Sequence, residues 1–253
     1  MSIKISAAII TYNEEKNIKR CMDSLDFCDE IVVIDSLSND NTCKIAKDLG
    51  AKVIDQKFLG HIDQKQLAVD HCTNTWVLSL DADEEVSPEL RAEILQLLNS
   101  SLEYDAYIMP RVSFHLGRWI RHGGWYPDAK IRLFNKTKAY WGGYNPHDKV
   151  IVNGTVGKLK GDLKHYVFSD LRHNIDTNNS YSSIMANDLH KDGKSFSYFK
   201  LFLKPVGKFL ETYIYKRGFL DGMPGFIIAV GASYSMFLKF AKHWEIEKVQ
   251  KKK

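Results

Sequence analysis

The sequence lacks both glycine-rich motifs that commonly hold nucleotide phosphates. No G-x-G-x-x-G follows the first predicted strand, and no G-x-x-x-x-G-K-[ST] occurs anywhere in the chain. The usual dinucleotide-binding loop and the P-loop are therefore excluded. If this protein binds a nucleotide, a metal ion and side chains must hold the phosphates.

Cysteine is scarce, and the chain opens without an apolar leader. The four cysteines, Cys21, Cys28, Cys43 and Cys72, show no C-x-x-C spacing, and three of them occupy apolar helix positions. This pattern favours buried, reduced thiols in a cytosolic compartment. Residues 1–10 pass directly into a strand pattern, without the apolar stretch and cleavage site of a secretory signal. We therefore expect no export.

No uncharged segment reaches the usual length of a membrane-spanning helix. Residues 223–238 carry no charge, but Gly225, Gly231, Ser233 and Ser235 interrupt the run. The run falls short of the about 20 apolar residues that a spanning helix needs. We expect this segment to lie on a membrane or to re-enter it, in preference to spanning it, or else to form a helical hairpin packed on the catalytic domain or a partner subunit.

The composition is that of a globular protein with a basic tail. Of 253 residues, 44% are hydrophobic and 26% are charged, and the net charge is +4. Residues 191–253 contain 13 Lys or Arg against 5 Asp or Glu, whereas residues 1–190 contain 22 against 26. Aromatic residues interleave with the basic ones in this tail. Such a mixture suits an anionic membrane surface better than a nucleic acid.

The tail also contains the pattern of an amphipathic helix at a membrane interface. Apolar side chains share one helical face and three lysines fall on another; the apolar set is Phe202, Leu203, Val206, Leu210 and Tyr213, and the lysines are Lys200, Lys204 and Lys208. Pro205 either starts this helix or kinks it. The terminal lysines, residues 251–253, would add attraction to anionic lipid, or would simply be solvated.

Apolar runs alternate with helical patterns over the first hundred residues. Residues 3–10, 31–34 and 76–80 become continuously apolar, as parallel strands covered on both faces would be. Helices are predicted after Asn13 as an N-cap, from Asn39 to Gly50, around residues 61–72, and from Ser87 onward. This alternation predicts an α/β fold built on a doubly wound, mostly parallel sheet.

Three of the predicted strands end in polar residues. The ends read Thr11-Tyr12-Asn13-Glu14, then Asp35-Ser36, then Asp81-Ala82-Asp83. Ligands bind beyond the carboxyl ends of the strands in such sheets, so these side chains are expected to share one edge. Each alone could be an ordinary turn or N-cap residue. Three acidic ends on one rim favour a site at which Asp81 and Asp83 hold a metal and a nucleotide diphosphate.

Together these segments resemble the signature order of family 2 glycosyltransferases. The resemblance is carried by residues 8–15, 33–42 and 80–84. A Trp-Tyr-Pro-Asp stretch at 125–128 and an Arg-Leu-Phe stretch at 132–134 are similar to those of bacterial lipopolysaccharide core beta-1,4-glucosyltransferases. The resemblance implies a GT-A fold, a UDP-sugar donor, Mg2+ or Mn2+, and inversion at the anomeric carbon. A hard cation on carboxylate oxygens would neutralise the departing diphosphate.

The resemblance also implies roles for residues at the strand ends. Asp83 would bind the metal, and Asp81 would contact the ribose or reach the metal through water. Asp35 would contact the uracil or the ribose. The base pocket would be lined by Thr11, Tyr12 and Glu14.

Three positions depart from the family pattern. Ser36 stands where a second Asp is common, and Leu37 stands where a Gly is common, which puts the turn beneath the base in doubt. Lys65 stands where the family usually has an arginine before an Asn. It would neutralise phosphate as a point charge, or it is an ordinary solvated helix residue.

The candidate catalytic base lies further along the chain. Inverting transfer needs a base near the acceptor hydroxyl. Asp148, at the end of the glycine-rich stretch 141–148, resembles the family's His-Glu element with Asp in place of Glu. The alternatives are that Asp128 is the base, or that Asp148 only pairs with Lys149 or Arg132.

Further candidates surround this element. Arg132, in the Arg-Leu-Phe stretch, is expected to contact substrate. His165 resembles a histidine that approaches the metal or diphosphate in similar enzymes, and it is otherwise a hydrogen-bonded structural residue; His147 has the same two interpretations. Trp125 and Trp141 are among several aromatic side chains whose flat faces suit sugar rings or core packing.

We therefore expect a nucleotide-sugar half at residues 1–100, an acceptor half at 101–170 and a helical, membrane-associating region at 171–253. The leading hypothesis is a metal-dependent transferase on the inner face of the cytoplasmic membrane. It would move glucose or a similar hexose from a UDP-sugar to a glycolipid such as a lipopolysaccharide core. The alternatives are a transferase acting on a polyprenyl phosphate, a silent carbohydrate- or nucleotide-binding module that recruits partners to the membrane, and a nucleotidyltransferase.

Overall fold

The structure is a computed structural model that describes residues 3–100, 102–144 and 147–249, except for the side chain of His147. Its contacts divide the chain into two compact units. The first contains the chain up to Val112 and Asp128–Tyr166; the second contains Ser113–Pro127 and the chain from Val167 onward. Every side chain assigned above to the donor, the metal or the base belongs to the first unit.

The chain forms thirteen described strands and seven described α-helices. The strands are β1 (Ile5–Thr11), β2 (Glu30–Asp35), β3 (Lys52–Asp55), β4 (Trp76–Asp81), β5 (Glu84–Val86), β6 (Ala106–Met109), β7 (Arg111–His115), β8 (Arg118–Ile120), β9 (Lys130–Asn135), β10 (Ala139–Tyr144), β11 (His147–Val152), β12 (Val156–Lys158) and β13 (Leu163–His165). The helices are α1 (Ile18–Asp23), α2 (Thr42–Asp48), α3 (His61–Asp70), α4 (Pro88–Asn99), α5 (Leu171–Lys191), α6 (Tyr198–Leu210) and α7 (Gly222–Lys248).

A seven-stranded sheet forms the centre of the first unit, in the order β12-β6-β9-β4-β1-β2-β3. Strands β4, β1, β2 and β3 are parallel, and β9 runs antiparallel between β4 and β6. The predicted mostly parallel sheet is confirmed. The sequence did not predict β3, because only its two middle residues are apolar, and they are half-buried between exposed charged ends.

The core lies on both faces of this sheet, which explains why β1 is apolar throughout. Ile5 and Ile9 pack with Leu90 of α4 in one cluster. Ala8 packs on the opposite face with Val32 and other buried residues. Consecutive side chains of a strand point to opposite faces, so a strand covered twice buries every residue.

The first helix begins later than predicted, so the interpretation of Asn13 as an N-cap is wrong. Helix α1 begins at Ile18, and Asn13 adopts a φ of 54°. Its backbone N–H donates to Ser38 Oγ at 2.8 Å, and its side-chain oxygen accepts from the N–H of Asn39 at 2.9 Å. Asparagine is favoured both at caps and in the left-handed region. Here the contacts to the loop after β2 select the second conformation.

The second unit is built around its three long helices. Helix α7 packs against both α5 and α6. Helix α6 begins at Tyr198, where the Ser197 side chain caps it, and it continues through Pro205. The alternative that the helix starts at Pro205 is therefore wrong. The carbonyl oxygen of Pro205 accepts a hydrogen bond from Ser233 Oγ of α7 at 2.9 Å.

Helix α7 is longer than the uncharged run that lies within it. Among the described residues, one helical segment, Gly218–Lys248, is long and apolar enough to cross a membrane by length and composition alone. Only 22% of its most apolar window is buried. The segment therefore presents most of this apolar surface outward instead of placing it in a protein core.

Candidate active site

The polar strand ends meet at one edge of the sheet, as predicted. Thr11 pairs with Asp35 across β1 and β2, and Ile10 pairs with Asp81 across β1 and β4. Thr11 is 5% exposed, and its hydroxyl has no hydrogen-bond partner among the described residues. Tyr12 beside it is exposed. A buried unpaired hydroxyl next to an exposed aromatic ring is a suitable surface for a planar polar ligand.

Asp35 organises the loop that follows β2. Its carboxylate accepts hydrogen bonds from the Ser38 backbone N–H at 2.7 Å and from Ser38 Oγ at 2.5 Å. Between Asp35 and Ser38, Leu37 adopts a φ of 66°, in the left-handed region, and it is 56% exposed. The turn thus keeps a left-handed residue at the position where a glycine is common in similar enzymes, and this leucine is strained.

Leu37→Gly is expected to leave the protein as stable as wild type or up to about 1.5 kcal/mol more stable. Glycine removes the left-handed strain of about 1–2 kcal/mol, against an entropic cost of about 0.5–1 kcal/mol. Urea unfolding measures the difference. The matched control is Leu49→Gly, because Leu49 is also exposed but has a φ of −87°. It should destabilise by about 1 kcal/mol, and an equal loss in both variants would contradict the interpretation.

Lys65 brings the candidate base next to the first aspartate of the Asp-x-Asp pair. Its ammonium lies 2.8 Å from Asp148 and 3.0 Å from Asp81, and its side chain is 6% exposed. The same ammonium lies 4.6 Å from the ring centre of Trp141. Lys65 is therefore a buried, ion-paired residue, so its interpretation as a solvated helix residue is wrong.

An alternating chain of eight charges runs through the site, and we call it the charge chain. In order of contact it comprises Asp148, Lys65, Asp81, Arg132, Glu84, Arg111, Asp128 and Lys130. Arg132 lies 2.9 Å from Asp81 and 2.8 Å from Glu84. Four carboxylates and four cations alternate, so the buried charges compensate one another.

Glu84 is a member of the site that the sequence analysis missed. Its side chain is fully buried, and it accepts from Arg111 and Arg132, each at 2.8 Å. It also accepts from the Asp81 backbone N–H at 3.1 Å, which fixes the Asp-x-Asp turn. The local sequence indicated Glu84 only as a further acidic residue directly after Asp83. It gave no sign that Arg111 and Arg132, both distant in sequence, would contact it.

The surrounding cations keep Asp81 ionised. Burial alone would raise its pKa, but the charges of Lys65 and then Arg132 outweigh burial and hold the pKa well below its usual range. Burial likewise opposes ionisation of Asp128, but Arg111 and Lys130 lower its pKa. Asp128 thus has two cationic partners and a weakened affinity for a proton, which disfavours it as the base.

A cavity of about 520 Å³ connects these groups. It is lined by Lys65, Asp81, Arg111, Arg132, Asp148 and several other residues of β6, β9, β10 and β11. Trp141 forms part of its wall, and the guanidinium of Arg132 lies 5.4 Å from the ring centre of Trp141. The Trp141 ring therefore makes cation–π contacts with both Lys65 and Arg132. The candidate base and Asp81 open onto the same space.

Asp83 is separate from the charge chain and pairs with His165. The Asp83 carboxylate lies 3.2 Å from His165 Nε2, and its backbone carbonyl accepts from the Tyr166 N–H at 2.9 Å. Neighbouring ligands of an octahedral ion with bonds of about 2.1 Å lie about 3 Å apart. A carboxylate and an imidazole at this separation fit a divalent cation. The side chain of His147 lies outside the described residues.

Glu14 approaches the same region from β1. Burial raises its pKa, the Asn17 side chain donates to it at 2.6 Å and lowers the pKa, and the charge of Asp83 raises the pKa again. Its backbone N–H donates to Thr42 Oγ1 at 2.8 Å. The loop after β1 is thus tied to α2 and placed beside the Asp-x-Asp turn.

His115, in the second unit, is a polar residue that the sequence analysis did not select. It is 1% exposed, and neither ring nitrogen has a hydrogen-bond partner among the described residues. Trp125 stacks on it at 5.7 Å and Phe168 contacts it edge-on at 5.3 Å. Burial lowers its pKa. The imidazole is held neutral in an aromatic setting at a cost in stability.

His115→Phe is expected to raise the free energy of unfolding by about 1–3 kcal/mol, because it removes a buried unpaired polar group. It should also reduce the loss of stability in acid. The unfolded imidazole binds a proton below about pH 6.5, whereas the folded one does so only at lower pH, so wild-type stability falls as the pH drops below about 6.5. Urea unfolding between about pH 5 and 8 measures both effects. His71→Phe, at a partly exposed position, is the control; equal effects at both positions would contradict this account.

Comparison with known proteins gives the family. The model of the family described as "Glycosyl transferase family 2" matches residues 6–154. An uncharacterised glycosyltransferase of Rickettsia typhi is 37% identical over 96% of this chain and 87% of its own length. The lipopolysaccharide core biosynthesis glycosyltransferase LpsC of Rhizobium meliloti is 29% identical over 96% of this chain and 93% of its own length.

Solved structures confirm the fold. S. aureus TarS superposes with a TM-score of 0.51 at 16% identity, covering 98% of this chain and 54% of TarS. Glucosyl-3-phosphoglycerate synthase from Mycobacterium tuberculosis superposes with a TM-score of 0.50 at 15% identity, covering 77% of this chain and 81% of that one. The expected GT-A architecture is therefore confirmed. This chain is a glycosyltransferase and belongs to glycosyl transferase family 2.

Proposed function

We propose that this enzyme is a metal-dependent, inverting transferase that moves a hexose, glucose in the first instance, from a UDP-sugar to an envelope glycolipid such as a lipopolysaccharide core. One observation carries the proposal. Asp148 lies 2.8 Å from Lys65, which lies 3.0 Å from Asp81, and all three line one cavity. A candidate base is thus one side chain away from the carboxylate pair assigned to the donor.

The donor occupies the edge formed by β1, β2 and β4. Thr11, Tyr12 and Glu14 line the base pocket, and Asp35 contacts the uracil or ribose. Asp83 and His165 would hold Mg2+ or Mn2+, with Asp81 contributing a further carboxylate beside them. When bound, that ion neutralises the charge that develops on the departing diphosphate. Lys65 and Arg132 add positive charge on the same side of the cavity.

Asp148 accepts the proton of the acceptor hydroxyl as that oxygen attacks the anomeric carbon. The oxygen forms the new glycosidic bond while the bond to the diphosphate breaks, so UDP leaves and the anomeric configuration inverts. Lys65, 2.8 Å away, holds the Asp148 carboxylate in place until the acceptor arrives. Uptake of one proton by Asp148 balances the step.

Relatives support the choice of substrates. LpsC is named for lipopolysaccharide core biosynthesis and matches along nearly its whole length. The M. tuberculosis synthase was solved with Mn2+ and uridine-diphosphate-glucose on the same fold. The apolar α6 and α7 and the basic tail suit an acceptor embedded in the inner face of the cytoplasmic membrane.

A donor and acceptor screen tests the proposal. Purified protein should release UDP from UDP-glucose with Mn2+ or Mg2+ and stop when EDTA removes the ion. With a lipopolysaccharide core acceptor, mass spectrometry should show the addition of one hexose. Transfer to a polyprenyl phosphate and not to the lipopolysaccharide core would show that the acceptor is a polyprenyl phosphate. Donor binding that is indifferent to chelator, with no turnover on either acceptor, would favour the silent binding module.

A further inference from the structure

The turn between α6 and α7 exposes a cluster of large apolar side chains. We call residues 211–223 the α6–α7 turn. Five of its side chains are at least 45% exposed, and Tyr215 and Met223 reach 83% and 67%; the set is Ile214, Tyr215, Phe219, Leu220 and Met223. A contiguous group of this kind marks an interaction surface.

The backbone of the α6–α7 turn is irregular and tightly built. A π-helical stretch, Glu211–Tyr215, leads to Arg217 with a φ of 56° and then to a 3-10 turn, Gly218–Asp221. A Cβ added to Gly225 would lie 1.9 Å from the carbonyl oxygen of Gly218. This close approach requires glycine. The turn is thus packed through its backbone, and its large side chains are left on the outside.

The charges beside these side chains have one dominant sign. Residues 204–223, which comprise the end of α6 and the α6–α7 turn, contain four Lys or Arg and only two carboxylates, Glu211 and Asp221. Glu211 pairs with Lys208 and Lys216. Arg217 is exposed and has no ion-pair partner among the described residues. The surface around the turn is therefore positive.

The remaining carboxylate serves the interior of the second unit. Asp221 is fully buried, and it accepts from the backbone N–H groups of Arg121 and His122 at 3.0 and 2.7 Å. Arg118 lies 3.2 Å from the same carboxylate. The α6–α7 turn is thus fixed to the segment that leads to Trp125. Asp221 adds no negative charge at the surface.

We propose that the α6–α7 turn docks on a bilayer that contains anionic phospholipid headgroups. Its apolar side chains enter the interfacial region, while Arg217 and the neighbouring lysines contact lipid phosphates. A second copy of this chain is disfavoured as the occupant, because two like-charged surfaces would repel each other. The α6–α7 turn is thus the surface through which the protein would reach its proposed location at the membrane. Docking there does not depend on the transfer reaction.

Vesicle co-sedimentation of the full chain tests the inference. Wild type should bind phosphatidylcholine vesicles that contain phosphatidylglycerol and bind pure phosphatidylcholine much more weakly. The double variant Tyr215→Ser/Phe219→Ser should lose about tenfold or more in affinity, because it removes two aromatic side chains that the bilayer would bury. Arg217→Glu should lose about tenfold at low salt and less at high salt. The control is Phe58→Ser/Leu59→Ser, two exposed apolar side chains of the first unit, which should retain binding.

Three outcomes would overturn the inference. They are unchanged binding by the Tyr215/Phe219 variant, equal binding of wild type to neutral vesicles, and a dimer in solution that the same variant dissociates in the absence of lipid. UDP release from the donor serves as a folding check, since none of these residues lies among those assigned to the donor site. Vesicle binding without any transfer would contradict the proposed function and leave the docking surface standing.

Discussion

Asp83→Asn is expected to lower glycosyl transfer by about 1,000-fold or more. Asparagine keeps the shape of the side chain but removes the charge that a hard divalent cation requires. Loss of the ion would remove several kcal/mol of stabilisation from the departing diphosphate. Within the described part of the chain, His165 is the one side-chain ion-pair partner of Asp83, and Asp83 lies outside the charge chain. The fold should therefore tolerate the substitution.

Two measurements together identify the cause of such a loss. UDP-glucose turnover gives the rate, and thermal shift with UDP gives the stabilisation that Mn2+ adds. Wild type should gain stability from UDP with Mn2+, whereas Asp83→Asn should keep its own melting temperature but lose the gain due to Mn2+. Asp63→Asn, an exposed carboxylate on α3, is the matched control and should behave as wild type. Full turnover by Asp83→Asn would remove the role assigned to this residue.

Asp148→Asn is expected to lower kcat by about 100- to 10,000-fold, the range typical for loss of a general base. The amide cannot accept the proton of the acceptor hydroxyl. Lys65 keeps its contact with Asp81 at 3.0 Å, so the substitution leaves no unpaired buried cation. Donor binding, measured by calorimetry with UDP and Mn2+, should stay within about twofold of wild type.

Asp128→Asn provides the comparison for this variant. Asp128 is bound by Arg111 and Lys130, so we expect a moderate change in stability and a much smaller change in kcat. If Asp128→Asn abolishes transfer and Asp148→Asn does not, the base is Asp128. The acidic limb of the kcat/KM profile should also disappear in the variant that lacks the true base.

The features that the sequence predicted well are those with a local signal. A strand covered on both faces is apolar at nearly every position, so β1, β2 and β4 could be predicted from their apolar runs. Their polar ends follow from the rule that such sheets bind ligands there. Ser87 followed by Pro88 gave the start of α4, and the Ser87 hydroxyl does accept from the Leu90 N–H at 3.2 Å.

The features that it did not predict depend on contacts between distant segments. Arg111 and Glu84 lie 27 residues apart, and Arg132 and Asp81 lie 51 apart, so no local pattern indicates that they meet. Asn13 has two favourable conformations, and a contact with Ser38 decides between them. The second unit joins Ser113–Pro127 to the C-terminal helices, and only tertiary contacts show that these segments belong together.

The charge chain implies that its members cannot be assigned independent energies. Each inner residue contacts a group of opposite sign on either side, so neutralising one changes the field at both neighbours. Side chains that share partners couple by about 0.5–3 kcal/mol. Paired substitutions such as Asp148→Asn with Asp81→Asn, which share Lys65 as a partner, will therefore deviate from the sum of the single effects. A double-mutant cycle along these eight positions would measure how far an electrostatic perturbation propagates from the acceptor side toward the turn after β4.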